Sequence, residues 1–320
     1  MDLVTKTPRL PIAGETLQGH EFFTAAGGKG ANQAVAAARL GIATHLVGRL
    51  GNDDFGRQLL ADLQATGVHT DGILVDEATS SGVAVITVDD AGENNIIIIA
   101  GANGRVNQQD VERLSNLLAG CAALLLQLEI PLPAVLAAAQ AARQAGVNVI
   151  LDPAPARTDI PPELYQLVDI ITPNEIEASQ LVGFSVNGQE TAAKAAAELR
   201  QRGVGTVIVK LGAQGVFCAT GVSAAVGGAE TFFVPAFPVQ AVDTVAAGDA
   251  FNGGVAAALA EGHSLREAVV WGAAVGAISA TKAGAQPSLP DRKTFDAFLN
   301  SSSSMREVPR RSVAELGDGA

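Results

Sequence analysis

Residues 123–152 read ALLLQLEIPLPAVLAAAQAARQAGVNVILD. An apolar run, ALLLQL (123–128), leads through Glu129 into the Ala-rich stretch PLPAVLAAAQAARQAG, and a second apolar run, NVILD (148–152), follows. Runs this short, with little polar alternation, fit strands of a parallel sheet covered on both faces. The stretch between them reads as a helix stopped by Gly146 as its C-terminal cap. The pattern recurs: VDIIT (168–172) and TVIVKLG (206–212) are further strands, and QETAAKAAAELRQRG is a helix ending at Gly203. Strand, helix, strand in repetition predicts an α/β fold with right-handed crossovers, a Rossmann-like three-layer arrangement with helices on both faces of a parallel-core sheet.

Two regions depart from this rhythm. Residues 2–24 and about 80–100 (GVAVITVDDAGENNIIIIAG) carry strand-type residues with no helix between them, and DDAGEN suits a turn. They predict a small antiparallel sheet projecting from the core. The final stretch, SSSSMREVPRRSVAELGDGA (301–320), is polar and reads as a mobile tail, leaving residues 1–300 as one domain. Of the 320 residues 48% are hydrophobic and 17% charged, which suits a globular chain. A net charge of −12 and a pI of about 4.8 argue against a nucleic-acid partner. No uninterrupted apolar run approaches the roughly 18 residues of a membrane span, and the start MDLVTKTPRLP lacks a signal-peptide apolar region. Cys121 and Cys218 have no partner spacing and read as buried free thiols of a cytoplasmic protein.

Four segments and one further carboxylate carry candidate chemistry. In AVDTVAAGDAFNGGVAAALA (241–260), a small-residue turn, Ala246-Ala247-Gly248, opens a helix with Asp249 in its first turn. Backbone N–H groups left free there can hold a phosphoryl group, and the adjacent carboxylate can take a proton from an attacking hydroxyl. On local pattern alone Asp249 reads equally as a helix cap. GGKGANQA (27–34) resembles a phosphate loop only superficially. The first glycine of a P-loop would fall on Phe23, and Gly30 stands where Mg²⁺ needs a hydroxyl. In ITPNEIEA, Asn174 and Glu177 share one face of a beginning helix, as ligands or as N-cap and first-turn acid. Lys210, Gly212 and Gly215 in VKLGAQGV lie at a strand–turn–strand, which a plain glycine turn would also produce. Glu129, at the end of an apolar strand, is costly to bury without donors and favours a ligand-facing position.

Taken together, GGKGANQA and DTVAAGDAFNGG resemble the ribokinase family of carbohydrate kinases. The resemblance extends through AGETL (13–17), SSGVA (80–84), AGAN (100–103), QLE (127–129), DPAPAR (152–157), ITPNEIEA (171–178), LGAQGV (211–216) and KAGAQPSLP (282–290). It implies a ribokinase-like fold whose small sheet is a lid supporting a homodimer. It also implies ATP-dependent phosphorylation of the 5-hydroxyl of D-ribose to ribose 5-phosphate. Asp249 would be the base, and Ala246, Ala247 and Gly248 the anion hole. Asp2, Gly27, Gly28, Lys29, Asn32 and Glu129 would bind the sugar. Asn174, Lys210, Gly212, Gly215 and Gly248 would bind ATP, with Glu177 ordering Mg²⁺ through water. An activating K⁺ would lie among Asp243, Val245, Ser279, Lys282, Gly284 and Ser288, mostly on backbone carbonyls. Another sugar or a nucleoside, or a truncated sugar-binding protein of weak activity, are the alternatives.

Two departures accompany the resemblance. Family members carry a core strand of the type VxxGSxN just before the residues matching Met1-Asp2, and the sequence given starts after it. The expectation is a start placed too late rather than a natural truncation. Ala273 stands where many relatives have Asn or His near the adenine.

Overall fold

The computed structural model describes residues 1–221 and 230–302. Ser301 ends the last described helix, and residues 303–320 of the expected tail lie outside the described residues.

The chain begins with β1 (Asp2–Thr7) and β2 (Glu21–Ala25), then enters α1 (Lys29–Arg39) through Gly28, whose φ of 91° is a left-handed value that favours glycine. A parallel unit follows, β3 (Gly48–Gly51), α2 (Asp54–Ala65) and β4 (Ile73–Asp76), with Gly48 opposite Ile73 and Gly51 opposite Asp76. Next, β5 (Val83–Asp89) and β6 (Asn94–Ile99) return to the first two strands as one sheet in the order β2-β1-β5-β6. This is the expected projecting sheet. Its outer pairs are antiparallel, while β1 and β5 run parallel with Asp2 opposite Ala84. Alternation of side chains tells which face a residue lies on, not which way its neighbour runs, so the parallel centre was not legible.

The main sheet comes from the chain beyond residue 107. Its elements are α3 (Gln108–Leu117), β7 (Ala123–Leu126), α4 (Leu132–Gln144), β8 (Asn148–Leu151), α5 (Pro162–Leu167), β9 (Ile170–Ile171), α6 (Glu175–Val182), α7 (Gln189–Gln201), β10 (Thr206–Lys210), β11 (Gly215–Thr220) and β12 (Thr231–Pro235). The order is β12-β11-β10-β9-β8-β7, parallel from β7 to β10 and antiparallel through β11 and β12. Among the described residues β7 pairs with β8 alone, and β3 with β4 alone. Three helices close the chain: α8 (Ala247–Ala260), α9 (Leu265–Ala280) and α10 (Arg292–Ser301).

Successive strand residues feed opposite layers. Val149, Leu151, Val207 and Val209 pack with Val135 and Ala139 of α4 and Ala192, Ala196 and Leu199 of α7. Ile150, Ile170 and Ile208 pack on the other face with Val35 of α1, Val255 and Ala257 of α8 and Val275 of α9. That two-sided burial is why these strands read as continuous apolar runs. Cys218 is buried there, whereas Cys121 lies between α3 and β7 and is only half-buried, so the expectation of two buried thiols holds for one. A thiol in a connection lacks the two covering layers that a central strand has.

Helix α8 packs closely on α1 and α9. A Cβ on Gly253 would stand 2.4 Å from the Cβ of Ala36, and one on Gly254 would stand 3.0 Å from the Cα of Gly272. The paired glycines in the sequence therefore set interhelical distance, and that distance places the site.

Candidate active site

The carboxyl ends of the parallel strands, where ligands collect in such sheets, carry polar and charged groups. Past β7 come Gln127 and Glu129, past β8 comes Asp152, and β10 ends on Lys210. The N-termini of α1, α6 and α8 converge on the same region.

Helix α8 starts from Ala246, whose φ of 60° is the one positive value among the described non-glycine residues. An alanine in this region costs roughly 1 kcal/mol. The turn leaves the N–H groups of Gly248 and Asp249 ahead of the first helical bond, Ala250 N–H to the Ala246 carbonyl (2.8 Å). Of the three expected anion-hole residues, Ala247 directs its N–H back to the Thr244 carbonyl (3.2 Å). The Asp249 N–H, not singled out from the sequence, follows that of Gly248 at the same turn.

Asp249 is 5% exposed. Its Oδ2 accepts from Asn32 Nδ2 (2.9 Å) and its Oδ1 from Gln33 Nε2 (3.0 Å). The early glycine–lysine segment and the late helix thus meet directly. Burial pushes the Asp249 carboxyl up to about 6; the Asp152 charge adds to the rise, while Lys29 and the two amides oppose it. Lys29 loses proton affinity through burial, but Asp249, Asp152, Glu129 and Glu177 together outweigh that and raise it. A fixed cation therefore sits among four carboxylates.

The expected sugar residues assemble around this point. The Lys29 N–H donates to Glu129 Oε2 (2.9 Å), and burial raises the Glu129 carboxyl. A Cβ on Gly27 would stand 2.4 Å from Asp2 Oδ2, so only glycine admits the Asp2 carboxylate there. Asp2, too, is raised by burial.

On the opposite side, Asn174 and Glu177 form a reciprocal cap: Asn174 Oδ1 accepts the Glu177 N–H, and Glu177 Oε2 accepts the Asn174 N–H, both at 2.8 Å. The capping reading is realised, yet Glu177 is buried and its carboxyl raised by that burial. The Lys210 and Lys29 charges act on it, so it also faces the site. Lys210 Nζ lies 3.1 Å from Asp152 Oδ1 and 3.4 Å from where a Gly248 Cβ would stand. Gly212 is exposed in the turn between β10 and β11. Gly215 has a structural reason of its own: a Cβ there would lie 2.2 Å from the Val234 carbonyl of the neighbouring strand.

Asp243 Oδ1 accepts the Val245 N–H and Oδ2 the Gly284 N–H, both at 2.9 Å, tying the loop before α8 to the loop after α9. The buried hydroxyls of Ser279 and Ser288 meet at 2.7 Å. Lys282 is exposed, and Ala273 packs against the core cluster from α9.

Gln33, Gln127 and Asp152 also belong to the site; all three lie inside motifs quoted above, GGKGANQA, QLE and DPAPAR, yet none carried an expected role. Nothing in a single sequence shows that Gln33 touches a residue 216 positions away.

The family model for pfkB family carbohydrate kinases matches residues 1–292. The chain belongs to that family of carbohydrate kinases. Within it, the chain is 43% identical over 298 residues to ribokinase from Haemophilus influenzae, covering 93% of this chain and 95% of that protein. It is 35% identical over 300 residues to deoxyribokinase from Salmonella typhimurium, covering 94% and 96%. The structure of Arabidopsis thaliana ribokinase complexed with ribose and ATP matches with a TM-score of 0.84 at 37% identity, over 93% and 95% of the two chains. No helix among the described residues is long and apolar enough to cross a membrane.

Proposed function

We propose that this chain is an ATP-dependent kinase that transfers the γ-phosphoryl group to the 5-hydroxyl of D-ribose, yielding D-ribose 5-phosphate. The observation that carries the reading is the Asp249 carboxylate, held at the start of α8 by Asn32 of the glycine–lysine segment (2.9 Å). Asp2, the Gly27 and Gly28 backbone, Lys29, Asn32 and Glu129 bind the sugar hydroxyls. Asp249 accepts the proton as the 5-oxygen attacks, and the Gly248 and Asp249 N–H groups receive charge developing on the transferred group. Lys210, close to both Asp152 and Gly248, adds a cation at that point.

ATP lies along the β10–β11 turn, with Asn174, Gly212 and Gly215 beside it. Glu177 supplies an oxygen donor suited to the water shell of Mg²⁺, which neutralises phosphate charge when bound. The Asp243, Ser279 and Ser288 oxygens suit a hard monovalent cation, with the Val245, Lys282 and Gly284 carbonyls beside them. K⁺ there supplies field and rigidity to the loop before α8, and replacing K⁺ by Na⁺ lowers kcat. The β2-β1-β5-β6 sheet acts as the lid and carries a homodimer contact. A cytoplasmic location suits the two free thiols.

The kinship with a deoxyribokinase favours one second reading, 2-deoxyribose as the substrate. A panel of ribose, 2-deoxyribose and nucleosides with coupled ADP detection separates them. The proposal expects the highest kcat/KM on ribose, and a tenfold preference for deoxyribose overturns that assignment.

A further inference from the structure

Gln33 is 1% exposed, and every polar atom of its side chain is engaged inside the site. Its Nε2 donates to Asp249 Oδ1 and to Asp152 Oδ2, both at 3.0 Å. Its Oε1 accepts from Gln127 Nε2 at 2.6 Å. A flipped amide would aim Oε1 at two carboxylates and set Nε2 against the donor of Gln127, losing all three bonds. Gln127 therefore selects the Gln33 orientation. Gln127 is itself seated against Gly30, where a Cβ would stand 3.0 Å from its Oε1. That gives a physical role to a glycine of GGKGANQA that the sugar-binding reading leaves unused.

We propose that Gln33 is a positioning residue of the phosphoryl-transfer site, which aims Asp249 and keeps it from sharing a proton with Asp152. The inference rests on the reading of Asp249 as the base. Two carboxylates meet at one NH₂ group, and two such groups without a donor between them relieve repulsion by holding one proton. A base that holds that proton cannot accept another. Around Asp249 stand Lys29, Asn32 and Gln33 from α1 and Asp152 from the end of β8, and Lys210 from β10 pairs with Asp152. Lys210 compensates Asp152, so Asp249 relies on Lys29 and the two neutral amides. Glutamine is suited to this place because it gives each carboxylate a hydrogen while adding no titrating group.

The test uses protein labelled with ¹³C at the aspartate carboxyls, with the Asp249 resonance assigned by its loss in Asp249→Asn. In Gln33→Met, which keeps the length and removes the donors, the Asp249 midpoint is expected to rise by at least about half a unit, roughly threefold in proton affinity. Gln127→Met, which only frees the Gln33 amide, moves it the same way by less and stands in if Gln33→Met fails to fold. For a half-unit rise, ribose phosphorylation by Gln33→Met should fall about twofold relative to the parent at pH 6 and about threefold at pH 5, and match the parent at pH 8.5, with KM for ribose little changed. An unmoved midpoint, or activity lowered equally at all three pH values, overturns the proposal. Turnover by Asp249→Asn is read separately: it speaks to the kinase reading, while the midpoint speaks to Gln33.

Discussion

Asn32 and Gln33 are neighbours on α1, yet both reach the same carboxylate, one to each oxygen. That is possible because α1 and α8 pack closely: one turn further along α8 from Asp249, Gly253 stands against Ala36 and the Gln33 carbonyl. The result is a buried acid whose two oxygens are aimed by neutral donors. Burial, the largest cause, lifts it to about 6, and the Asp152 charge helps. The sign of the pH dependence follows: as pH falls through that value Asp249 takes a proton and can no longer serve as base. kcat/KM for the sugar, which reports the free enzyme, should therefore fall below pH 6 and level off above about pH 7. A pH–rate profile flat down to pH 4.5 would contradict the assignment. Asp249, Lys29 and Asn32 were legible in sequence because they sit in motifs that resemble a known family. Gln33 sat in GGKGANQA and Asp152 in DPAPAR without a visible role, since their chemistry depends on a contact spanning 119 positions.

At the scale of elements, the pair α1–α8 joins the two halves of the site. Gly253 faces the Ala36 Cβ at 2.4 Å and the Gln33 carbonyl at 3.0 Å, measured from where its Cβ would stand. Gly253→Leu should push the helices apart, destabilise the fold by roughly 1–3 kcal/mol, and lower kcat/KM more than tenfold by separating Asn32 and Gln33 from Asp249. Ala139→Val, in the helix layer on the other face of the sheet, is the control: its melting temperature should fall while kcat/KM stays within about twofold. Equal losses of activity in both would show that the α1–α8 distance has no special part. The strands around this pair could be read from composition, since Val149, Ile150 and Leu151 are all buried and feed two layers in turn. Less legible was VDIIT, where pairing is confined to Ile170 and Ile171. The run AVD before α8 looks strand-like but forms a loop, because Asp243 bonds the N–H groups of Val245 and Gly284 in place of a neighbouring strand.

The whole molecule presents an unusual surface on the β2-β1-β5-β6 sheet. Ile96, Ile97, Ile98 and Ile99 of β6 and Phe22 and Phe23 of β2 are all exposed. Consecutive isoleucines leave apolar groups on both faces of an edge strand, which is an association liability unless something covers it. The proposed lid-to-lid dimer covers it with a second copy. Sedimentation should then give twice the 32.5 kDa chain mass, and Ile97→Asp should return the monomer and raise KM for the sugar as the lid loses support. A monomeric parent protein, or a variant that stays dimeric, would contradict this arrangement. The parallel β1–β5 pairing carries Asp2 at its start, opposite Ala84, so movement of the lid would carry an expected sugar-binding carboxylate with it.

The most direct measurement of the central claim compares the parent chain with Asp249→Asn, following ribose 5-phosphate by ³¹P NMR and ribose binding by calorimetry. Removing a positioned base costs about 10²–10⁴ in rate. The account therefore predicts that the parent forms ribose 5-phosphate, and that the variant's kcat falls within or beyond that range while its Kd for ribose stays within a few-fold. A variant turning over within tenfold of the parent would show that Asp249 is not the base.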